Sequence, residues 1–188
     1  MTAIPSSSRD LSDYTLTELC DHIEQTHHRY LRAEMPRLLG KLNKIAIKYG
    51  EKDPRLVQLR NTFARFMLDM MEHMDKEEWY VFAAARKLDQ GILQAVDPAT
   101  PDAVQEMIDE HDAGGMALLK MRELTDGFRA PEGACKLLCE ALHDLEKLDQ
   151  DMHQHVFKEN CILALKTEQL RHQLDQRRRA LQDVALSI

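Results

Sequence analysis

Two short stretches of the chain place a glutamate four residues after a histidine: His73–Glu77 and His155–Glu159. Both lie in segments whose apolar residues recur at helical spacing. Four residues are slightly more than one turn of about 3.6 residues, so both side chains of each pair leave the helix on one face. An imidazole beside a carboxylate is half of a transition-metal site. Two such halves can face each other across a helical bundle.

Other histidines complete a candidate metal site. Each of the four long helices expected below contains a histidine that can face the bundle axis, and the first contains two. The set is His27, His28, His73, His111 and His155, with the carboxylates of Glu77 and Glu159. Nitrogen and oxygen donors in this ratio suit iron or manganese. A carboxylate can bridge two metals whereas an imidazole binds one, so the set fits a dinuclear site. Structural zinc more often recruits thiolates.

The remaining histidines and the cysteines are expected to have ordinary structural roles. Surface or hydrogen-bonded core positions are predicted for His22, His143, His153 and His172. No C-x-x-C pair occurs among Cys20, Cys135, Cys139 and Cys161. Free cysteines are usually buried as small apolar residues, and we expect the same of these four.

Composition limits the class of protein. The chain has 188 residues, 44% of them hydrophobic and 30% charged, which suits one globular domain. Its formal charge of −7 gives no basic surface for nucleic acid. No apolar run approaches the roughly 18 residues that cross a membrane, and the first residues do not form a signal peptide. We therefore expect a cytoplasmic protein that binds neither nucleic acid nor a membrane.

Seven glycines and six prolines leave long stretches that favour helices. Thr15 and Glu18 form a capping-box pattern that opens a first helix, which bends at Pro36 and ends at Gly50. Three further helices are predicted over about 53–88, 100–128 and from 134 past 165, the second and third each beginning at a proline. The pattern predicts an all-α, up-down-up-down four-helix bundle over residues 14–166. A flexible leader (1–13) and a helical extension (167–188) flank it.

The chain resembles the hemerythrin-like (HHE) domain of the di-iron iron–sulfur cluster repair proteins. Six segments carry the resemblance, in the family's order over about residues 14–165. They are Thr26-His27-His28 with Pro36 eight residues on, Tyr49 to Pro54, His73 to Glu78, Glu110 to Gly114, Pro131 to Cys135, and His155 to Asn160. Of the two adjacent histidines, His28 stands at the family's spacing from the proline.

The resemblance implies a non-haem di-iron centre. Its terminal ligands would be His28, His73, His111 and His155, and its bridges Glu77 and Glu159. We favour iron over manganese or zinc. The implied role is repair of iron–sulfur clusters damaged by nitrosative or oxidative stress, through iron delivery or reactions with nitric oxide. Iron–sulfur proteins would then be partners.

One departure from the family concerns a ligand. Tyr49 stands where the family usually has a histidine before glycine. The phenol could bind iron, since a metal can strongly lower the pKa of a ligand. It could instead leave a coordination position open for a small molecule, which we favour slightly. A second departure is that the amino-terminal domain with a cysteine pair, present in full-length repair proteins, is not expected here.

Other functions are compatible with the same ligands. The domain could be a sensor that holds O2 or NO without turnover, or an enzyme that reduces NO or peroxide at an open position near Tyr49. It could also be a bundle that has lost efficient metal binding and works through protein contacts. The carboxy-terminal helical extension is a candidate surface for self-association. The sequence does not decide whether the protein is an enzyme.

Overall fold

The computed structural model describes residues 10–92 and 101–186, and within these ranges the regular structure is helical. A short 3-10 turn, Leu11–Asp13, precedes four long helices. Three of these helices contain a π-helical segment. The first consists of α1 (Leu16–Ile23), a π segment (Glu24–His28) and α2 (Arg29–Tyr49), and the second of α3 (Pro54–Lys76), a π segment (Glu77–Val81) and α4 (Phe82–Asp89). The third is α5 (Pro101–Leu124), and the fourth consists of α6 (Lys136–Phe157), a π segment (Lys158–Leu163) and α7 (Ala164–Leu186).

The helices form an antiparallel bundle. The second half of the first helix, α2, packs on α3 and α6, whereas its first half, α1, packs on α4 at the far end of the second helix. Helix α5 packs on α3. Successive helices therefore run in opposite directions, and the predicted up-down-up-down bundle with a carboxy-terminal helix is confirmed. No helix in the described part of the chain is long and apolar enough to cross a membrane.

The first two helices begin at the residues that the sequence indicates. Thr15 Oγ1 accepts from the backbone N–H of Glu18 at 3.2 Å, and Glu18 Oε2 accepts from the backbone N–H of Thr15 at 2.8 Å. This is the predicted capping box. Asp53 caps the second helix by accepting from the backbone N–H of Arg55 at 3.0 Å. Because these caps satisfy otherwise unpaired N–H groups, they define where each helix starts.

Gly50 ends the first helix for a steric reason. Its φ of −62° lies in the ordinary helical region, so no left-handed turn requires glycine here. A Cβ atom at this position would lie 2.4 Å from the carbonyl oxygen of Ala46 and 2.6 Å from Cγ2 of Val57. Glycine is therefore needed because a side chain here would clash with the last turn of α2 itself and with the start of α3, which folds back on it.

The third helix ends earlier than the sequence predicts. The backbone leaves the helix after Leu124, and Asp126, Gly127 and Phe128 all have positive φ, at 52°, 78° and 62°. Thr125 stabilises the turn, since its hydroxyl accepts from the backbone N–H of Phe128 at 3.1 Å. Asp126-Gly127 is a dipeptide typical of turns, and aspartate adopts positive φ more often than most residues, so the sequence carries a signal for this turn that the helix prediction did not use. Most of the predicted connection before this helix, residues 93–100, lies outside the described residues.

The π segments were not predicted. In each, a backbone N–H bonds the carbonyl five residues earlier: Arg29 to Glu24, Phe82 to Glu77, and Ala164 to Glu159. The flanking residues keep ordinary helical dihedrals, so each long helix continues through its π segment. Such segments contain one extra residue in a turn and change the direction in which the side chains point. They occur frequently at functional sites.

The buried apolar residues form two clusters. The larger one lies among α2, α3, α5 and α6 and includes Leu31, Phe63 and Met121. The smaller one is formed by α1, α4 and the end of the fourth helix's π segment: Leu16, Leu19, Cys20, Ile23, Phe82, Ala85, Leu88 and Leu163. In the first, second and fourth helices the π segment separates residues of the two clusters. The boundary between the clusters therefore falls at the three π segments.

The helical extension begins by packing on the bundle. Leu170 and Leu174 of α7 contact the smaller cluster, whereas residues 177–183 are exposed. The domain boundaries at residues 13 and 166, and self-association through this helix, stay predictions. Residues 1–9 of the predicted leader lie outside the described residues.

Candidate metal centre

Six buried side chains converge where the two apolar clusters meet. They form two groups of four, His28–Glu77–His155–Glu159 and His73–Glu77–His111–Glu159, and within each group the candidate ligand atoms all lie within 4.8 Å of one another. None of the six residues is more than 6% exposed. Glu77 and Glu159 belong to both groups. Two carboxylates are therefore shared by two groups of histidines, which is the arrangement that a dinuclear metal site requires.

The π segments contain three of the six residues. His28 is the last residue of the first π segment, Glu77 is the first residue of the second, and Glu159 lies in the π segment of the fourth helix. The carbonyls of Glu77 and Glu159 accept the five-residue hydrogen bonds of their segments. The change of helical register therefore occurs at the residues whose side chains must meet at the centre.

Each shared carboxylate directs one oxygen toward each group. Glu77 Oε2 lies 3.4 Å from Nε2 of His28, and Glu77 Oε1 lies 3.3 Å from Nε2 of His73. Glu159 Oε1 lies 2.7 Å from Nε2 of His155, and Glu159 Oε2 lies 3.3 Å from Nε2 of His111. A carboxylate that bridges two metal ions presents its oxygens in this way.

These carboxylates have no other partner. All four of their oxygen atoms are buried, and none makes a hydrogen bond of acceptable geometry with the described residues. A buried carboxylate without a compensating partner is strongly destabilising. Cations between the carboxylates and the imidazoles would supply the missing interactions. The residues present therefore fit two metal ions.

Hydrogen-bond partners on the side facing away from the centre orient three of the four imidazoles. His28 Nδ1 lies 2.8 Å from Glu78 Oε1, His73 Nδ1 lies 2.7 Å from Glu110 Oε2, and His111 Nδ1 lies 3.1 Å from Asn160 Oδ1. With Nδ1–H donated outward, the lone pair of Nε2 faces the centre, as a metal ligand requires. Each partner is the chain neighbour of a candidate ligand on the next helix. The Nδ1 of His155 is buried and has no such partner.

The site raises the affinity of two imidazoles for protons. Burial alone lowers the pKa of His28, but the close carboxylates of Glu159 and Glu77 outweigh burial and raise this pKa to about 10. Burial also lowers the pKa of His73, and the carboxylates, chiefly that of Glu77, raise it overall to about 9. Burial raises the pKa of Glu159, yet the charge of His155 and the close approach of three imidazoles hold it well below its usual range.

The structure does not bring Tyr49 to this centre. Tyr49 and His28 lie at opposite ends of one helical stretch, and a rise of about 1.5 Å per residue separates them by roughly 30 Å. Tyr49 packs against the larger apolar cluster, and the Lys48 ammonium lies 5.1 Å from the centre of its ring. The expectation that Tyr49 binds iron, or leaves a position open beside it, is corrected by this distance.

The outer partners Glu78, Glu110 and Asn160 were not predicted from the sequence. The sequence offered one signal for them, since each is adjacent in the chain to a candidate ligand. The cysteine expectation also needs correction. Cys20 is buried, and burial raises its pKa to about 12, but Cys139 and Cys161 are exposed and Cys135 is partly exposed. Neither four-residue group contains a cysteine.

Comparison with known proteins identifies the family. Residues 17–165 match the model of the hemerythrin HHE cation binding domain, a span that contains all six converging residues. The chain belongs to the hemerythrin HHE family. Members of the family bind metal cations through this domain, in agreement with the two groups of buried histidines and glutamates.

Several curated relatives of this HHE domain are named iron-sulfur cluster repair proteins. ScdA of Staphylococcus haemolyticus is 33% identical over 145 residues, which are 77% of this chain and 64% of ScdA. DnrN of Neisseria gonorrhoeae is 30% identical over 76% of this chain and 85% of its own length. YtfE of Pectobacterium atrosepticum is 28% identical over 87% of this chain and 71% of its own. The chain spans less than two thirds of the length of ScdA.

A tyrosine variant tests the position of Tyr49. We expect Tyr49→Phe to leave the metal content and visible spectrum of the HHE domain unchanged, because this side chain lies roughly 30 Å from His28 along the helix. Elemental analysis and absorption spectroscopy of the reconstituted protein would measure both. Loss of a visible charge-transfer band in Tyr49→Phe would show instead that the phenol binds the metal.

The raised histidine pKa values predict that metal binding depends on pH. At pH 7 the metal-free protein holds protons on His28 and His73, and a metal binds only the neutral imidazoles, so binding should release about two protons. Apparent affinity should rise with pH until these groups lose their protons near pH 9–10. Calorimetry in buffers of different ionisation enthalpy counts the protons. Binding without proton release at pH 7 would contradict the prediction.

The raised pKa values of His28 and His73 also affect the stability of the metal-free protein. The two pKa values lie above the ordinary histidine value of 6.5, so their contribution to stability is fully present below about pH 6.5. It is lost as pH rises through 9 and 10. Thermal unfolding of the metal-free protein should therefore occur at lower temperature over this range, whereas the His28→Ala variant should show a smaller change.

Proposed function

We propose that this HHE domain holds a di-iron centre. His28 and His155 would bind one ion, His73 and His111 the other, and Glu77 and Glu159 would bridge them. The observation that carries this proposal is the division of each buried carboxylate between the two groups of histidines. Iron is favoured over zinc because the donors are imidazole nitrogens and carboxylate oxygens without thiolates.

Residues around the centre would hold its ligands in place. Glu78 and Glu110 keep the imidazoles of His28 and His73 in the tautomer that binds a metal. Arg32 and Lys76 pair with these outer carboxylates, at 3.1 Å and 2.7 Å. The apolar clusters on both sides limit the access of water. When bound, the iron ions would supply electron transfer and the binding of small molecules.

We propose repair of damaged iron–sulfur clusters as the function of the chain. The support is its similarity to relatives named for that activity, among them ScdA, DnrN and YtfE. Iron delivered to a damaged cluster would be the cargo of this reaction, and iron–sulfur proteins would be its partners. His28 and His73 suit release, because their raised pKa values let protons replace a departing ion. A cytoplasmic location remains our expectation.

A second candidate function is reversible binding of NO or O2. Each ion would receive four protein ligands, two imidazoles and two carboxylate oxygens, whereas iron in such sites commonly has room for further ligands. An open coordination position is therefore expected at the iron ions themselves and not near Tyr49. Reduction of NO or peroxide would also need an electron donor.

Metal counting tests the bridging assignment. Anaerobic reconstitution with Fe(II) should give about two iron ions per chain. Glu77→Ala should impair both positions because a shared ligand is lost, whereas His28→Ala should mainly impair one. His153→Ala is a matched control, because His153 lies on the same helix as His155 but its side chain is mostly exposed. Equal, partial losses in Glu77→Ala and His28→Ala would contradict bridging, and fewer than about one ion in the unaltered protein would contradict the di-iron centre.

An activity assay separates repair from sensing. The iron-loaded protein, mixed with an NO-damaged dehydratase that needs a [4Fe–4S] cluster, should restore dehydratase activity faster than an equal amount of free Fe(II). The Glu77→Ala variant should give no more than free iron, because it cannot hold the centre. No recovery, together with a reversible NO-dependent absorption band, would contradict repair and favour the sensor.

A further inference from the structure

His27 is a buried histidine that the six-residue centre does not use. It is 2% exposed and precedes the candidate ligand His28. Successive residues of a helix point in different directions, so His27 faces the fourth helix while His28 faces the centre. The ring of His27 lies almost parallel to that of His155, with centroids 5.4 Å apart and planes at 17°. A buried imidazole thus covers one face of a candidate ligand.

Two side chains of the fourth helix hold both nitrogens of His27. Nδ1 lies 2.9 Å from Asp151 Oδ1, and Nε2 lies 2.8 Å from the Lys158 ammonium nitrogen. An ammonium group only donates hydrogen bonds, so Nε2 accepts and Nδ1–H donates to Asp151. Asp151 lies one turn before His155 and Lys158 one turn after it. The two bonds therefore fix the His27 ring in an offset stack against the His155 ring.

His155 lacks the support that the other candidate ligands have. Glu78, Glu110 and Asn160 orient the other three imidazoles through Nδ1, whereas the buried Nδ1 of His155 has no hydrogen-bond partner. Contacts with neighbouring rings remain. His27 stacks on one face, and His28 approaches edge-on, with centroids 4.9 Å apart and planes at 76°. His28 is itself a candidate ligand, whereas His27 belongs to neither ligand group and is held by Asp151 and Lys158.

We propose that His27 is a positioning residue for His155. Held by Asp151 and Lys158, its ring would fix the plane of the His155 imidazole and so set the affinity of the metal position formed by His28 and His155. The inference rests on the proposed metal-binding function. It also makes the two metal positions unequal, because His73 and His111, which form the other position, are each oriented by a hydrogen-bond partner of their own.

Stepwise anaerobic titration with Fe(II), repeated with Co(II) as a spectroscopic probe, tests the proposal. His27→Ala should weaken one position roughly 10- to 100-fold, the usual cost of losing a residue that orients a ligand, and leave the other unchanged. Asn160→Ala is the matched control, because it removes the partner of His111 and should weaken the opposite position. Circular dichroism of each metal-free variant checks that it folds. Equal weakening of both positions by His27→Ala would overturn the proposal.

Double variants identify the affected position. In a His73→Ala background the metal is expected at the His28–His155 position, and adding His27→Ala should abolish most of the remaining binding. In a His28→Ala background the same addition should have little effect. His27→Phe keeps an aromatic ring against His155 and should recover part of the lost affinity. No recovery with phenylalanine would overturn the ring contact as the cause.

A measurement without metal separates the two proposals. In ¹⁵N-histidine spectra of the metal-free protein, His27 should be the neutral tautomer with a proton on Nδ1, and His27→Ala should shift and broaden the ring signals of His155. Unchanged His155 signals would overturn the positioning role. Absence of metal uptake by the unaltered protein, with the His155 signals responding to His27→Ala, would overturn only the di-iron function.

Discussion

The burial of two carboxylates side by side is the constraint on which the rest of this structure depends. Glu77 and Glu159 are each 2% exposed, and their oxygens find no hydrogen-bond donor of good geometry among the described residues. In an apolar interior such a pair requires positive charge nearby. Two of the neighbouring imidazoles, His28 and His73, meet part of this need in the metal-free protein, because their raised pKa values keep them protonated at pH 7, and metal ions would meet it better. The bundle therefore contains a layer of polar side chains that cannot be explained by packing alone.

This polar layer also divides the interior. The larger apolar cluster contains Phe63 and Met121 on one side, and the smaller contains Ile23 and Phe82 on the other. Residues of both clusters belong to the same long helices, so the ligands are held from two directions. A centre built on four rigid helices is more precisely defined than one built on loops, because each ligand direction is set by a whole helix. The weakest orientation is that of His155, which depends on a neighbouring ring.

Much of this arrangement could be predicted from the sequence. The i, i+4 spacing of His73–Glu77 and His155–Glu159 was enough to place each pair on one helical face, and the caps at Thr15 and Asp53 marked the helix starts. The selection of His28 over His27 came from family spacing, and the structure agrees by turning His27 away. Tyr49 was assigned to the site because the family has a histidine there, although its distance from His28 along one helix argues against a shared metal. Counting residues along the predicted first helix would have given that distance from the sequence.

The π segments could not be predicted because they depend on tertiary contacts. Their sequences, such as Glu77 to Val81, have no glycine or proline that would mark an irregularity. A helix accepts the poorer geometry of a five-residue hydrogen bond only when the side chains gain more from the new direction. Here the gain is the meeting of six candidate ligand side chains, which becomes visible only when the helices are assembled.

The π segments also bear on which changes of chain length the helices can accept. Each contains one residue that a regular α-helix would not need, so the apolar positions before and after it follow two different reading frames of the helical repeat. Deleting a single residue between Glu77 and Phe82 would restore a regular α-helix, because the five-residue step between these two buried residues would become the ordinary four, and Phe82 and Ala85 would keep their places in the smaller cluster. Deleting a residue in the regular part of a helix would instead rotate everything beyond it by about 100°. The π segments are therefore the places where these helices can lose one residue and keep their apolar contacts, although the carboxylate that begins the segment would lose the direction that the π geometry gives it.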